Sequence, residues 1–246
     1  MTTIIVPFHH DERLPDDSLP TTGVTLAPAF PDGDLWTRLT ALHSAVADNV
    51  AADTAAGGRP AVVSGDCLVA LGTLAGVQRA GVDPAVVWFD AHGDLHTEAS
   101  STSGYLGGMA LRLAMGSSPV TEPLGLRPLA EARAVLVDAR DLDPAEEEFL
   151  RGSAVTRVPV DAVGADVLPD GPLLLHVDLD VVDAAELTGM KFPAPGGPSA
   201  GAVLAAVRRV LDTGRVVAVD IACPWHPARD AVEAADRARV LAELLA

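Results

Sequence analysis

One stretch of the chain joins a short apolar run to closely spaced polar side chains. Residues 86–89 are Val-Val-Trp-Phe, and an apolar run of this length predicts a buried strand. Asp90, His92 and Asp94 follow at every second position, so an extended chain would place them on one side. Buried carboxylates repel one another unless protons, partners or cations compensate them. The stretch therefore predicts either a cation site at a strand end or a strand end whose polar groups are simply solvated.

The rest of the chain alternates predicted strands with predicted helices. The strands are expected at 2–6, 61–63, 86–89, 134–137, 155–160, 173–177 and 215–221, the helices at 34–56, 68–80, 105–115, 145–150, 200–211 and 230–246, and a long loop at 9–33. Strands that alternate with helices imply parallel pairing. We therefore predict a single domain over residues 1–246, in three layers, α/β/α, around a mostly parallel, doubly wound sheet.

Acidic, histidine and cysteine side chains lie at or just after the carboxyl-terminal ends of five predicted strands. They lie at 66–67, 90–94, 141–143, 178–180 and 220. In a doubly wound sheet, ligands bind beyond the carboxyl ends of the strands. Because the carboxyl ends of parallel strands meet at one edge, we expect these side chains to form one site.

The expected ligand set consists mainly of oxygen atoms. Asp178 and Asp180 share a face, and they add two carboxylates to Asp90, His92 and Asp94. Such a set suits a hard divalent ion such as Mn²⁺ better than a structural zinc ion. Four carboxylates carry four negative charges, which two divalent ions would balance. The predicted reaction class is metal-assisted hydrolysis.

Composition excludes several kinds of partner. The net charge of −17 argues against binding to nucleic acid or to an anionic membrane. The sequence has neither an apolar run of the roughly 20 residues that span a bilayer nor a signal peptide at its start. Two cysteines, Cys67 and Cys223, allow at most one disulfide, which fits a reducing compartment. We expect a cytoplasmic protein with a small-molecule substrate.

Several motifs resemble the signatures of the arginase/ureohydrolase family, in the same order along the chain. They are Ser-Gly-Asp-Cys at 64–67, Asp-Ala-His-Gly-Asp at 90–94, His-Val-Asp-Leu-Asp at 176–180 and Val-Asp-Ile at 219–221, with similar segments at 140–144 and 194–198. The resemblance spans most of the chain. It implies the arginase fold and two Mn²⁺ ions at the carboxyl edge of the sheet.

The resemblance also implies a role for each ligand. Asp90 and Asp178 would bridge the two ions, Cys67 and Asp94 would complete one site, and His92 and Asp180 would complete the other. Asp94 would also orient the bridging hydroxide. His176, two residues before Asp178, is expected to be a partner of a ligand rather than a ligand itself.

Residues 95–104 resemble the arginase loop that binds the α-carboxylate of an amino acid. By position, His96, Ser101 and Ser103 would bind that group, and Asp143 would recognise the α-amino group. The resemblance thus implies an arginine-like amino acid as the substrate. Ordinary loop polarity is the alternative explanation for the two serines.

Three positions depart from the arginase pattern. Cys67 replaces a metal-binding histidine, Gly107 replaces the histidine that shuttles protons, and Cys223 replaces the glutamate that holds the guanidinium. A charged guanidinium favours an opposing carboxylate, and a leaving amine needs a general acid. These changes resemble the hydroxyarginine-cleaving members of the family, which act in D-cycloserine biosynthesis. The leading hypothesis is therefore hydrolysis of N-omega-hydroxy-L-arginine to hydroxyurea and L-ornithine, with Cys223 beside the head group.

Other interpretations stay open at this point. The protein could be an arginase, a hydrolase for another guanidino compound, or a metal-binding pseudoenzyme. The general acid is unassigned, with Asp94, His96 and His226 as candidates, and the first two are the expected catalytic residues. Cys67 and Cys223 could form a redox-sensitive disulfide if their Cα atoms lie within about 7 Å. We expect a monomer rather than the trimer or hexamer usual for arginases.

Overall fold

Strands and helices alternate along residues 2–246, which are the part of the chain that the computed structural model describes. The strands are β1 (Thr2–Val6), β2 (Phe8–His9), β3 (Glu12–Arg13), β4 (Val24–Thr25), β5 (Pro60–Ser64), β6 (Ala85–Asp90), β7 (Ala134–Asp138), β8 (Thr156–Val158), β9 (Leu173–Asp178) and β10 (Val216–Ala222). The α-helices are α1 (Leu35–Ala55), α2 (Val69–Arg79), α3 (Ala110–Ala114), α4 (Pro144–Gly152), α5 (Ala200–Leu211) and α6 (Ala231–Leu245). Short 3₁₀ helices lie at Gly107–Met109, Pro119–Leu124, Glu131–Arg133, Val160–Ala162 and Leu179–Val181.

Eight of the strands form one parallel sheet in the order β4-β1-β5-β10-β9-β6-β7-β8. β2 and β3 pair separately, as a small antiparallel ribbon. The central strands β5, β10, β9 and β6 are therefore neighbours, although they are far apart in sequence. Their carboxyl ends meet at one edge of the sheet, as the α/β pattern predicted.

Apolar side chains fill both faces of the sheet. Along β6, Val86 and Trp88 lie in the core that includes α1, α2 and α3, whereas Val87 and Phe89 lie in the core that includes α5 and α6. All six residues of β6 are buried, because a strand covered by helices on both faces has no side exposed to water. This confirms the predicted three-layer α/β/α architecture.

Two segments differ from the sequence-based expectation. The predicted loop at 9–33 contains β3 and β4, and β4 extends the sheet beside β1. The predicted helix at 105–115 is instead a 3₁₀ turn followed by the short helix α3, because the adjacent glycines Gly107 and Gly108 favour a helix poorly. Within residues 2–246, no helix has both the length and the apolar character that a membrane span requires.

Candidate metal centre and active site

A cavity of about 180 Å³ opens at the carboxyl edge of the central strands. The six predicted metal ligands all line it: Cys67, Asp90, His92, Asp94, Asp178 and Asp180. Two of them are the last residues of β6 and β9, and the others lie in the segments that follow β5, β6 and β9. The sheet order, which makes β9 the neighbour of β6, brings these segments together.

Asp90 lies at the end of β6, where hydrogen bonds fix its carboxylate. The backbone N–H of His92 donates to Asp90 Oδ1 (2.7 Å), and the Trp88 indole N–H donates to Oδ2 (3.2 Å). Four residues later the backbone of Asp94 takes a left-handed conformation, with a φ of 53°. Asp94 is buried, and its Oδ2 atom has no hydrogen-bond partner within the described part of the chain. A buried carboxylate oxygen of this kind is free to bind a cation.

Asp178 and Asp180 lie where β9 passes into a short 3₁₀ turn. The Asp180 backbone N–H donates to Asp178 Oδ1 (2.8 Å), and the Ala91 N–H donates to Asp180 Oδ1 (3.1 Å). The second oxygen, Asp180 Oδ2, lies 3.0 Å from His92 Nδ1. These contacts between polar groups thus hold the ends of β6 and β9 together.

Cys67 follows the turn after β5 and points into the same cluster. Its thiol donates to Asp178 Oδ2 (2.8 Å) and lies 3.9 Å from Asp90 Oδ2. Asp66, its neighbour, accepts the backbone N–H groups of Leu68 and His10 and so shapes the turn. Asp66 is thus a structural residue, whereas Cys67 belongs to the cluster.

Burial and mutual repulsion disfavour negative charge in this cluster. Burial raises the pKa of Asp94, of Asp178 and of the Cys67 thiol well above their usual ranges, and nearby carboxylates add to each shift. Burial also raises the pKa of Asp180 to about 7. Burial opposes a charge on His92, but its hydrogen bonds to Asp180 and Asp90 outweigh this effect and raise its pKa to about 12. The positive charge on His92 offsets only one of the four carboxyl groups, and bound cations would supply the rest.

Among residues 2–246, two groups of side chains have ligand atoms close enough together to hold a metal ion. One group is Cys67, Asp90 and His176, and the other is Asp90, His92 and Asp180. Within each group the ligand atoms lie within 4.8 Å of one another. Because Asp90 belongs to both groups, the arrangement matches a pair of neighbouring metal positions with a shared carboxylate.

The predicted amino-acid-binding residues lie partly on the cavity wall. His96, Ser103 and Asp143 line the cavity, and His96 Nε2 lies 3.0 Å from Asp143 Oδ2. Glu146, buried behind them, accepts the backbone N–H groups of Leu95 and Asp143 at 3.0 Å each. Glu146 thereby ties the start of α4 to the loop that follows β6.

Three predicted residues lie elsewhere. Ser101 is not on the cavity wall, because its hydroxyl accepts the Gly104 N–H (3.0 Å) and closes a turn of the loop. Cys223 is fully buried and packs in the apolar core with Val219 and Ile221, since alternate residues of an extended chain point to the same face. His226 lines a neighbouring cavity with His9, His10 and Lys191. Neither Cys223 nor His226 lines the cavity of the predicted ligands, so the roles of Cys223 beside the head group and of His226 as the general acid stay predictions from the sequence.

The thiols of Cys67 and Cys223 are both buried and free within residues 2–246. Cys67 faces the polar cluster, whereas Cys223 faces the apolar core. The structure thus contains no disulfide between them over its described residues.

Tyr105 and Phe192 line the cavity but were not predicted. Their rings lie 4.5 Å apart between centroids, and the Tyr105 ring also stacks on His10 at 5.1 Å. Tyr105 is the only tyrosine in the sequence, and it directly precedes a Leu-Gly-Gly segment that leaves room for its ring. A lone aromatic residue beside glycines in a polar loop was the available signal. Asp141 also lines the cavity with its carboxylate largely exposed, 3.9 Å from His92 Nε2.

Comparison with known proteins places these observations in context. The model of the Arginase family matches residues 21–246. An arginase from Eremothecium gossypii is 33% identical over 192 residues, covering 71% of this chain and 48% of the relative. A Streptomyces lavendulae protein named N(omega)-hydroxy-L-arginine amidinohydrolase is 33% identical over 189 residues, covering 75% of this chain and 67% of the relative. The match thus spans about half the length of the first relative and two thirds of the second.

Solved structures agree on the fold. An Entamoeba histolytica arginase in complex with L-ornithine superposes with a TM-score of 0.84 at 19% identity, covering 99% of this chain and 97% of that chain. A Bacillus subtilis arginase gives a TM-score of 0.82 at 24% identity, covering 100% and 97%. At these identities the likeness establishes the fold alone.

Proposed function

Because the chain belongs to the arginase family, we propose that it is an amidinohydrolase, a C–N hydrolase that cleaves the guanidino or hydroxyguanidino group of an arginine-like amino acid. The observation that carries this proposal is the pair of three-residue ligand groups that share Asp90 at the carboxyl edge of the sheet. Hydrolysis of an unactivated C–N bond requires strong polarisation of the reacting group, and such a centre is built for that task. The cavity beside it has room for a small substrate.

The cofactor would be two divalent ions, most simply Mn²⁺. Asp90 and Asp178 would contact both ions, Cys67 and Asp94 would hold one, and His92 and Asp180 would hold the other. The free Oδ2 atom of buried Asp94 and the raised pKa values of the carboxyl groups support this fit. Bound ions would supply Lewis-acid polarisation and activation of water near neutral pH.

The amino-acid end of the substrate would bind at the outer wall of the cavity. Asp143 would accept hydrogen bonds from the α-ammonium group, and His96 and Ser103 would donate to the α-carboxylate. The contacts of Glu146 with the backbone of Leu95 and Asp143 hold these groups in place. The side chain of the substrate would then extend toward the carboxylate cluster.

The preferred head group would be a hydroxyguanidine, so that N-omega-hydroxy-L-arginine and water yield hydroxyurea and L-ornithine. The relative that is named for this activity supports the assignment. Position 107, where the resemblance to arginases implies a proton-shuttling histidine, is a glycine covered by the Tyr105 ring. A role in D-cycloserine biosynthesis and a monomeric state stay predictions from the sequence.

Arginine itself is a second candidate substrate. Asp141 favours arginine as a substrate, because the largely exposed carboxylate of Asp141 lies on the cavity wall and could face a charged guanidinium. Steady-state kinetics with the Mn²⁺-loaded protein would compare kcat/KM for L-arginine and hydroxy-L-arginine. We expect the hydroxylated substrate to turn over faster and to release hydroxyurea. Faster turnover of arginine would overturn the hydroxyarginine proposal, and two bound ions without turnover of either compound would indicate a metal-binding protein.

The Asp143→Asn variant tests the binding mode. It removes the charge opposite the α-ammonium group, so KM should rise about tenfold or more with little change in metal content, since a hydrogen bond to a charged group contributes about 1.5–3 kcal/mol. Asp170→Asn is a matched control, because Asp170 is exposed at the opposite end of β9. Equal KM values for the two variants would contradict the placement of the amino group.

A further inference from the structure

His176, Asp220 and Thr73 form a buried polar chain beneath the cavity. All three are fully buried. The Thr73 hydroxyl donates to Asp220 Oδ2 (2.5 Å), and Asp220 Oδ1 lies 2.9 Å from His176 Nδ1. An ionised carboxylate only accepts hydrogen bonds, so the Nδ1 atom of His176 is the donor. In a neutral imidazole this leaves the lone pair on Nε2.

The Nε2 atom of His176 is the unpaired nitrogen of this ring within the described chain. It is buried and has no hydrogen-bond partner among residues 2–246. One nitrogen of the His176 ring lies within 4.8 Å of Cys67 Sγ and of a carboxylate oxygen of Asp90, and Nε2 is the nitrogen that the Asp220 contact leaves available. A buried nitrogen lone pair without a donor requires an explanation, and a cation between these three atoms supplies one.

The ring of His176 is held in this orientation from two sides. The Trp88 ring stacks on it with centroids 3.6 Å apart and planes 20° from parallel. The Trp88 N–H also donates to Asp90 Oδ2, so the same side chain orients the imidazole and the carboxylate. Asp220 fixes the opposite edge of the imidazole. A histidine that donates one ring N–H to a carboxylate and offers the other nitrogen to a metal is a common arrangement in metalloproteins.

We propose that His176 is a direct ligand, through Nε2, of the metal ion held by Cys67 and Asp90, and that Asp220 and Thr73 set its tautomer. This inference rests on the proposed two-metal centre and adds a seventh ligand to it. The Cys67 position then offers sulfur, nitrogen and oxygen donors, whereas the His92 position offers nitrogen and oxygen only. The first position should therefore take softer divalent ions, such as Co²⁺ or Zn²⁺, in preference to Mn²⁺.

The His176→Asn variant separates the two nitrogens. The asparagine amide retains a donor near the position of Nδ1, toward Asp220, but has no atom at the position of Nε2. Metal-free protein would be titrated with Co²⁺ while the thiolate-to-cobalt absorption is recorded. We expect the affinity of the cobalt that gives this absorption to fall by more than the roughly 10–100-fold that is typical when a residue only supports a ligand, and the band itself to shift.

His43→Asn is the matched control. His43 is also a buried histidine whose Nε2 has no partner in the described chain, but it lies on α1 and outside both ligand groups. Its replacement should leave the cobalt titration unchanged. An unchanged titration in His176→Asn, or an equal loss in both variants, would overturn the proposal.

A measurement on the unaltered protein guards against a variant that does not fold. X-ray absorption of the protein with two cobalt ions bound should count two imidazole ligands per chain, from His92 and His176. A count of one would overturn the proposal. Neither readout needs a substrate, so absence of guanidino hydrolysis would refute the proposed function without refuting this ligand assignment.

Discussion

The packing of Gly107 against Tyr105 makes a sharp prediction about the Gly107→Ala variant. Gly107 begins a 3₁₀ turn and does not have a positive φ, so alanine suits its backbone. Only space is at issue, since a Cβ atom on residue 107 would lie 2.5 Å from the Cζ and hydroxyl oxygen of Tyr105. The ring must move, and its contacts with Phe192 and His10 must change with it.

The expected magnitude follows from this overlap. Overpacking at a well-packed site typically costs about 1–3 kcal/mol. In a protein of this size that lowers the unfolding temperature by about 2–12 °C. Because Tyr105 forms part of the cavity wall, kcat/KM for the preferred guanidino substrate should also fall, by about 10–100-fold. Gly108→Ala is the control, because its Cβ would meet only His96 Cδ2, at an ordinary 3.8 Å.

A spectroscopic titration reports on the ring directly. Tyr105 is the only tyrosine, so tyrosinate absorbance belongs to it alone. Burial raises the pKa of Tyr105 well above its usual range. In metal-free Gly107→Ala protein the displaced ring should ionise at a lower pH than in the unaltered protein, whereas Gly108→Ala should not differ. If the two alanine variants unfold and titrate alike, the packing argument is refuted.

Two further predictions concern buried charges. Burial raises the pKa of Asp178, so the stabilising contribution of this carboxyl group is lost as pH rises through the raised pKa. Asp178→Asn should therefore raise the unfolding temperature of the metal-free protein at neutral pH. Mn²⁺ should stabilise the unaltered protein but should stabilise this variant much less. Thermal unfolding with and without Mn²⁺ measures both effects, and a less stable metal-free variant would contradict the repulsion argument. Glu233→Gln should be less stable at neutral pH, because the hydrogen bond from the Arg229 backbone N–H, with others, holds the pKa of Glu233 at about 2. The stability gap between this variant and the unaltered protein should close as pH falls from about 4.3 toward the folded value, and a gap that is constant with pH would refute the assignment.

The clustering of the proposed metal ligands could be predicted from the sequence because these residues lie where strands end. Asp90 ends β6 and Asp178 ends β9, and each strand is a continuous apolar run. The rule that parallel strands share a carboxyl edge then brings these residues together without knowledge of the strand order. The spacing of two residues between Asp178 and Asp180 completes the placement, since both stay on the same side of the chain.

The direction of the Cys223 side chain follows from the alternation of side chains along β10. Val219, Ile221 and Cys223 face the apolar core beside α5 and α6, whereas Ala218 and Ala222 face the opposite core. This alternation can be read from the sequence, whereas the predicted role of Cys223 comes from its match to a family position. The position of the Tyr105 ring was harder to predict, because its loop has no regular period and the ring fills the space that a side chain at position 107 would occupy.

The polar edge of this sheet has an energetic consequence for the whole fold. Buried groups that resist ionisation lie between two apolar cores, and burial raises the pKa of the Cys67 thiol and of Asp94. The metal-free protein must therefore keep protons on these groups or tolerate their repulsion. Ions that displace those protons stabilise the folded chain, by about 2.7 kcal/mol at a free concentration one hundred times Kd. Because protons and ions compete for the same oxygen and sulfur atoms, metal binding should strengthen with pH. The contribution of bound ions to the stability of the fold should therefore grow with pH, as the metal-free protein becomes less stable.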